Sequence, residues 1–558
     1  MTRPAAIFLL FLIVFATLVA LLFWSTPDSN SGPAWYLWLT CGALCLTATA
    51  MELTLIVVWA GLTLARKLTH DPYVTLRLSE EDRQRLDERA PLVAMLVPAH
   101  REVSHPDDAE AFVARLVDML LKTPRYAHLF LLFDSPVSEH ENELRAVNQM
   151  KEQLIAAGHP EACERIFMET YRDKPRHMKN KPGSIHLWQQ RYADQYTYIF
   201  MLDADSSLLP EDPDRPETCD ALERLVLTLE DHPDLAMVQS AIQVNTEPTL
   251  WGWFQCAGVG MASKYHGQLL KWILEGTVPS YGHNNLFRVS DFTRHVSNTL
   301  SYLSHDFLDA ADLETAGRRC VQTYHVLTRE EGESSLLGFL MRDMRWARGN
   351  AQWSNYLLTK RGLPLGPKIF LGIGILCYVW PLLASVLLVA SVFLIREGTQ
   401  LVSADGQLFA QLLLSLVLIS LIVPKALGSK TPAIFYGAIV GGWLMAPAVM
   451  LVQGVLFILG AFGTKWTIRG SRSSRMDFDH VAGIVQLFAP VSILGCLLWL
   501  CLSGITDGGL GEWLLRVHVA LLIISPLLGV VFSCPLPVGA GAADDGIEAV
   551  RRASSLEG

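Results

Sequence analysis

The sequence predicts a polytopic membrane protein in which a charged α/β domain is inserted between hydrophobic α-helices. Three observations predict it. The 558 residues are 51% hydrophobic, enough for one sizeable soluble domain and several membrane spans. The apolar residues gather toward the two ends of the chain, in runs of about 20 residues, the length a hydrocarbon core requires. Between them, from about Arg66 to Lys368, strand-like runs alternate with amphipathic stretches.

At the N-terminal end, Ala5 to Phe23 and Trp35 to Leu62 contain no Lys or Arg. With only Arg3 before the first run, no clear small-residue cleavage site after it and a second run close behind, residues 1–68 read as two retained transmembrane helices rather than a signal peptide. Residues 69–368 form the α/β domain. Residues 369–533 hold five further apolar runs, Ile369 to Leu394, Gln407 to Val423, Ile434 to Phe462, Ile484 to Leu502 and Trp513 to Phe532. The last segment, 534–558, is rich in Gly, Ala, Pro and Ser and is expected to be disordered.

Basic residues set the orientation. Arg66 and Lys67 close the second run, Arg361 and Lys368 precede the third, and Lys425 and Lys430 follow the fourth, which places the α/β domain in the cytoplasm. The loop 463–483 carries Lys465, Arg469, Arg472 and Arg475 and is expected on the same side, so Ile434 to Phe462 would cross an even number of times. Gly441-Gly442 and Pro447 suit a broken, re-entrant or interfacial helix there, with a plain tilted span as the alternative. A formal charge of -10 and no basic cluster interleaved with aromatics exclude a nucleic-acid partner. The ten cysteines show no metal-binding spacing and read as reduced.

The chemistry concentrates in the α/β domain. Tyr198-Ile199-Phe200-Met201-Leu202 is an apolar strand that ends in Asp203-Ala204-Asp205. Carboxylates two residues apart on an extended strand share a face, so both can reach one hard cation that neutralises a diphosphate. Two other Asp-X-Asp triplets exist, Asp212 to Asp214 and Asp477 to Asp479, but only the first follows a strand. A strand at Leu92 to Val97 ends at Pro98-Ala99-His100-Arg101-Glu102, and one at Leu129 to Phe133 ends at Asp134-Ser135-Pro136. Strand carboxyl ends are where open α/β sheets bind ligands; Asp134 either binds a nucleoside or caps its turn. Lys179 to Ser184 opens a helix with a basic, Gly-containing loop that suits a diphosphate or is simply a solvated turn. A strand at Ala236 to Ser240 precedes the aromatic stretch Trp251-Gly252-Trp253-Phe254, a piece of core or a membrane-facing surface.

Further along, Tyr281-Gly282-His283-Asn284-Asn285 offers polar side chains to a sugar. Asp306, in Leu303-Ser304-His305-Asp306-Phe307, stands at a helix start, as an N-cap or as the base that takes a proton from an acceptor hydroxyl. Arg342-Asp343-Met344-Arg345-Trp346 lies on a helix, with Arg342 and Arg345 three residues apart on one face and an indole able to stack on a pyranose.

In that order, followed by membrane helices, these motifs resemble the processive family-2 glycosyltransferases, among them cellulose and hyaluronan synthases. Tyr281-Gly282-His283-Asn284, Leu303 to Phe307, Arg345-Trp346 with Gly349-Asn350, and Pro424-Lys425 are similar to the branch that makes osmoregulated periplasmic glucans. The wider superfamily usually has Gln at the position of Arg342, and Ser304-His305 before the base fits that branch rather than cellulose synthases. The resemblance implies a GT-A domain with a Rossmann-like mixed sheet, at the bacterial inner membrane, that extends a β-1,2-glucan acceptor from UDP-glucose by inversion and passes it through its own helices. It implies Asp134 on the uridine, Asp203 on the diphosphate, Asp205 on Mg²⁺ or Mn²⁺, and Asp306 as base. It further implies Arg345 and Trp346 at the acceptor, Arg342 and Lys181 on the diphosphate, and an acyl carrier protein among the partners. The rival expectations are transfer of one sugar to a membrane lipid, and a receptor or transporter whose nucleotide-binding domain does no chemistry.

Overall fold

The computed structural model describes residues 78–379, apart from 173–179, 211–218, 247–248, 250, 253–254, 256–277, 297–301 and 334, and a few isolated positions before residue 78. The expected helices of 1–68, all of 380–533 including the loop 463–483, and the segment 534–558 lie outside the described residues. Among the described residues, no helix is long and apolar enough to cross a membrane.

The described elements are α1 (Glu80–Arg89), β1 (Val93–Ala99), α2 (Pro106–Leu121), β2 (Ala127–Phe133), α3 (His140–Ala156), β3 (Ile166–Thr170), α4 (Asn180–Tyr192), β4 (Tyr198–Met201) and β5 (Ser207–Leu208). They continue with α5 (Ala221–Asp231), β6 (Leu235–Asn245), β7 (Asn285–Arg288), α6 (Val289–His295), α7 (Asp306–Thr315), β8 (Arg319–Glu331) and α8 (Leu336–Thr359). One eight-stranded mixed sheet runs β3-β2-β1-β4-β7-β6-β8-β5. The first four of these are mutually parallel, β7 is antiparallel to both its neighbours, and β6 and β8 are parallel to each other.

β1 has no charged residue and is buried along almost its whole length, as a strand covered on both faces must be. Its side chains alternate between two cores. Val93, Met95 and Val97 face the layer built by Phe112 and Leu116 of α2, Met150 of α3 and Leu225 of α5. Ala94 and Leu96 face Trp188 of α4, Phe292 of α6 and Leu313 of α7. Each helix is shaped locally for this: α2 opens on Pro106, Asp107 and Asp108, which suit the orphan amides and positive end of a helix N-terminus, and buries Phe112, Val113, Leu116 and Leu120 along one stripe. A third cluster, of Leu308, Ala311, Trp353, Tyr356, Leu363 and Leu371, fastens α7 to α8 and to helical residues 365–379.

The chain adds β2 and β3 on one side of β1 and then crosses to place β4 on the other. The carboxyl ends of β1, β2 and β4 therefore open one crevice at the point where strand order reverses. Because β7 runs the opposite way, its start lies at that same end, with Asn285 opposite Met201. Expected strands appear at β1, β2, β4 and β6, with β6 reaching Asn245 rather than stopping at Ser240. The strands β3, β5, β7 and β8 extend the sheet beyond that expectation.

Candidate active site

The strand β4 leaves the sheet at Leu202, and Asp203 to Ser206 form a closed turn: the Ser206 amide donates to the Asp203 carbonyl at 3.0 Å, and the Ser206 hydroxyl accepts from the Asp203 amide at 3.0 Å. Asp203 is thereby set at the floor of the crevice with 42% of its side chain still open to solvent. Its Oδ1 accepts from Lys181 Nζ at 2.5 Å, and its Oδ2 lies 4.0 Å from His283 Nδ1. Lys181, in the first turn of α4, also donates to the Gly282 carbonyl at 2.7 Å. Burial favours the neutral acid at Asp203, but Lys181 and His283 outweigh it and hold the carboxyl well below the usual carboxylate range. Burial works against the charge of Lys181 too, and there Asp203 and Asp306 prevail and raise its pKa.

His283 is pinned on the other side by Glu330, near the end of β8, with its Nδ1 donating to the Tyr281 carbonyl at 2.9 Å. Burial disfavours the imidazolium, but Glu330 and Asp203 push its pKa up to about 10, so it is cationic at neutral pH. Asp205 faces a cavity of about 220 Å³ whose walls include Asp118, Asn245, Arg329, Glu330 and Glu331. Arg115 and Arg329 line the same wall, so its carboxylates stand among guanidinium groups, and Asp205 beside Asp203 is the part of it that suits a hard divalent cation.

Asp306 is the first residue of α7. The chain approaches it through Gly282, at φ 84, where a Cβ would fall 2.2 Å from the Asp306 carboxyl carbon. Only glycine leaves room for the Asp306 carboxyl there. On its far side, the loop that carries Asp306 is seated on α8. Trp353 Nε1 donates to the Ser304 carbonyl at 2.8 Å, Gln352 Oε1 accepts from the Leu303 amide at 2.8 Å, and a Cβ on Gly349 would fall 2.4 Å from Ser304 Cβ. Lys181 and Asp203 also feel the Arg345 charge, from the same helix. The structure thus brings Lys181, Asp203, His283, Asp306 and Arg345 to one end of the sheet.

Other expected site residues are placed differently. Asp134 sits in the same crevice at the end of β2, its Oδ1 2.6 Å from His100 Nδ1, while the neighbouring Ser135 caps the turn by accepting from the Arg101 amide at 2.9 Å. Arg342 does not join the Lys181 group: its Nη2 donates to Gln255 Oε1 at 3.0 Å and its guanidinium lies 4.6 Å from the Trp346 ring centroid. Trp346 is 42% exposed, but Arg342 covers part of its ring face. The sugar contact expected of Asn284 is corrected: the residue is fully buried at φ 57. Its backbone amide donates to the Met201 carbonyl at 2.7 Å and its carbonyl accepts from the Ser240 amide at 3.0 Å, which ties the chain to β4 and β6, while neither polar atom of its side chain has a hydrogen-bond partner among the described residues. Trp251 is core, 1% exposed and packed edge-on against Phe339. The structure adds His100, Gly282 and Glu330 to the residues expected around the site. The strand-end position of His100 was a usable signal; nothing local marked Glu330, which reaches the site through the pairing of β8 with β6.

Comparison with known proteins fits this geometry. "Glucans biosynthesis glucosyltransferase H" of Xanthomonas campestris pv. campestris is 23% identical over 531 residues, covering 85% of this chain and 78% of the relative. The protein of the same name in Xylella fastidiosa is 25% identical over 538 residues, covering 88% and 76%. Among solved structures, a mannosyltransferase of Pyrobaculum calidifontis in complex with GDP-Man and Mn²⁺ aligns with a TM-score of 0.46 at 14% identity, over 76% of this chain and 99% of that one. A family model described as "Glycosyl transferase family group 2" matches residues 198–533, from β4 through the C-terminal apolar runs. The mixed sheet is that of a GT-A domain, and the chain belongs to glycosyl transferase family group 2: it is a glycosyltransferase.

Proposed function

We propose that the protein is an inverting, processive glucosyltransferase of the bacterial inner membrane, which takes glucose from UDP-glucose to build the β-1,2-glucan backbone of periplasmic glucans. The observation that carries the glycosyl-transfer mechanism is the bridge from Asp203 through Lys181 to Gly282, against which the Asp306 carboxyl is packed. In this reading Asp203 is a diphosphate-binding group and Asp306 the base, both at one end of the same sheet. Glucose and the glucan product are favoured by the names of the relatives. The cytoplasmic placement of the domain, and the passage of polymer through the apolar segments, rest on the distribution of basic and apolar residues.

In this reading Asp134, at the end of β2, takes the uridine. Asp203 and Asp205 would hold Mg²⁺ or Mn²⁺, which when bound neutralises charge growing on the departing diphosphate. Lys181 adds a fixed positive charge at the same place, kept by its two carboxylate neighbours. Asp306 takes the proton from the acceptor hydroxyl as that oxygen bonds to the anomeric carbon, and the bond from that carbon to the diphosphate breaks with its electron pair leaving on UDP. A single displacement of this kind inverts the anomeric centre. Arg345 and Trp346, on the helix that seats the Asp306 loop, line the acceptor side.

The test is incubation of the full chain in lipid nanodiscs with Mg²⁺ and a panel of UDP-sugars, reading UDP release and product size. A ladder of β-1,2-linked glucose is expected from UDP-glucose, and none with Asp306→Asn. A single-sugar lipid product would replace the processive reading, and no UDP release from any donor would end the proposal.

A further inference from the structure

Next to the Asp306 carboxyl is a buried pair with no task in the mechanism above. His305, with its side chain 7% exposed, caps the start of α7 without a side-chain capping bond. Its Nδ1 is 2.8 Å from Asp309 Oδ2, and its Nε2 is 3.1 Å from Asp306 Oδ1. Asp309, three residues into the helix after Asp306, is itself buried at 3% exposure, so its carboxylate reaches back over the first turn to the ring four residues before it. Asp306 keeps 27% of its side chain open. One of its oxygens is thus against the imidazole while the carboxyl as a whole still faces the crevice beside Gly282. Donor atoms of the three residues lie within 4.8 Å of one another, which is also the spacing of a cation site, but Nδ1 is already hydrogen-bonded to Asp309 and Nε2 is in ion-pair contact with Asp306 Oδ1, a buried oxygen that accepts no hydrogen bond among the described residues. The cluster is closed by its own contacts, as a carboxylate, an imidazole and a second carboxylate in line.

We propose that His305, anchored by Asp309, is a positioning residue for the base: it holds one oxygen of Asp306 so that the other is presented, ionised, to the acceptor hydroxyl. This rests on the reading of Asp306 as the base. The physical need is specific to this place. Substrate entering the crevice expels water from around Asp306, and a desolvated carboxylate gives up its charge unless a fixed partner supports it. A carboxyl on a helix N-terminus is also free to rotate about its own side-chain bonds, and a proton transfer requires a hydrogen-bonding geometry that a rotating group only visits. An imidazolium in ion-pair contact with the buried oxygen of Asp306 supplies that fixed partner, and the hydrogen bond to Asp309 fixes the imidazole.

The ion pair with Asp306 requires the imidazolium form of the ring. Burial opposes the imidazolium, but Asp306 and Asp309 outweigh it and raise the pKa of His305 to about 8. The groups facing the ring are those two carboxylates on α7 and, in opposition, the Lys181 ammonium from α4. The helix α8 meets this loop through Gly349, Gln352 and the Trp353 indole, none of which titrates. Tyr356 and Lys360 of α8 are both taken up by Asp312, further along α7. The positive charge beside Asp306 is therefore present below about pH 8 and lost above it.

The experiment measures kcat and KM for UDP-glucose against pH, from about 6 to 9.5, for the full chain in nanodiscs and for His305→Gln, Asp309→Asn and Asp306→Asn, with UDP binding by calorimetry as the folding control. The parent is expected to lose kcat on an alkaline limb near pH 8. His305→Gln is expected to lower kcat by about 10- to 100-fold with KM nearly unchanged, and to lack that limb. Asp309→Asn is expected to move the limb to lower pH, because a neutral amide no longer supports the imidazolium. A His305→Gln enzyme that keeps the parent kcat, or the parent's alkaline limb, overturns the inference. If His305→Gln fails to bind UDP, Asp309→Asn decides, and a limb unmoved from the parent's overturns it. Failure of the underlying reading looks different: Asp306→Asn itself would then turn over normally.

Discussion

Asp306 carries the first prediction at the scale of single residues. Asparagine keeps its shape but takes no proton, so Asp306→Asn is expected to lower turnover by about 100-fold or more while UDP binding persists, as read by UDP release beside calorimetry. Gly282 carries the second. A methyl group there would meet the Asp306 carboxyl at 2.2 Å and would also sit on a residue at φ 84. Gly282→Ala should therefore displace the base and cost both stability, by roughly 1 kcal/mol or more for the left-handed backbone, and most of the turnover. A variant with parental kcat would mean that the Asp306 carboxyl works from another position. Lys181 is a different case, because its charge is set by Asp203 and Asp306 rather than by solvent. The salt bridge it makes with Asp203 lies at the floor of the crevice, where the proposed function puts the diphosphate.

Two helices show what elements add. The contact of α8 with the Ser304 loop is made without charge, by one indole N–H, one side-chain amide and one missing methyl group. Trp353→Phe would keep the ring packed near Phe307, 4.8 Å away between centroids, and remove only the bond to the Ser304 carbonyl. Its expected cost is about 1 kcal/mol in stability, with a few-fold drop in kcat from a looser base, measured by thermal unfolding and initial rates. On the opposite face of the sheet, α5 holds Glu223, where burial first, then Asp220 and Asp87, push the carboxyl up to about 7 despite Arg83. The folded state therefore keeps a proton that the unfolded chain releases at its ordinary, lower pKa. The stability this gives is full below the unfolded value and is lost as pH rises toward about 7. Glu223→Gln should melt higher than the parent at pH 8 and no higher at pH 4, by thermal scans at the two pH values; a constant difference would show that the carboxyl is solvated.

For the whole molecule, the crevice exists because the chain crosses from β3 over β1 to β4 and because β7 returns antiparallel. That topology gathers residues more than 100 positions apart in sequence, Lys181 and Gly282 among them, at a single sheet end. The helix α8, on which the Asp306 loop is seated, is followed after a turn at 360–364 by helical residues 365–379, at the start of the expected third membrane segment. In the proposed function this continuity lets the acceptor end of the crevice open toward the membrane. Removal of divalent cation with EDTA is expected to abolish UDP release and to leave the sheet intact by circular dichroism, with Mg²⁺ or Mn²⁺ restoring the rate. Persistent turnover without a divalent ion would show that Lys181 and its neighbours suffice at the diphosphate.

By itself the sequence determined the elements whose signal is local. Central strands such as β1 and β4 are legible because burial on both faces demands an unbroken apolar run, and Asp203, Asp205 and Asp306 are legible because carboxylates stand where strands end and helices begin. The helix α8 was legible with its Arg345 and Trp346 for the same reason. Tertiary structure decided what no local pattern encodes. The strands β7 and β8 are short or polar, held by their ladders with β4 and β6 rather than by their own propensity, and through them Glu330 reaches His283. Packing also placed two of the expected site residues in ways no local pattern encodes: Asn284 is sealed where β7 meets β4, and Arg342, in one motif with Arg345, turns to Gln255 and Trp346. Local sequence specifies which groups are available; which of them face one another depends on distances set by the sheet register, and register is a property of paired strands, not of any one segment.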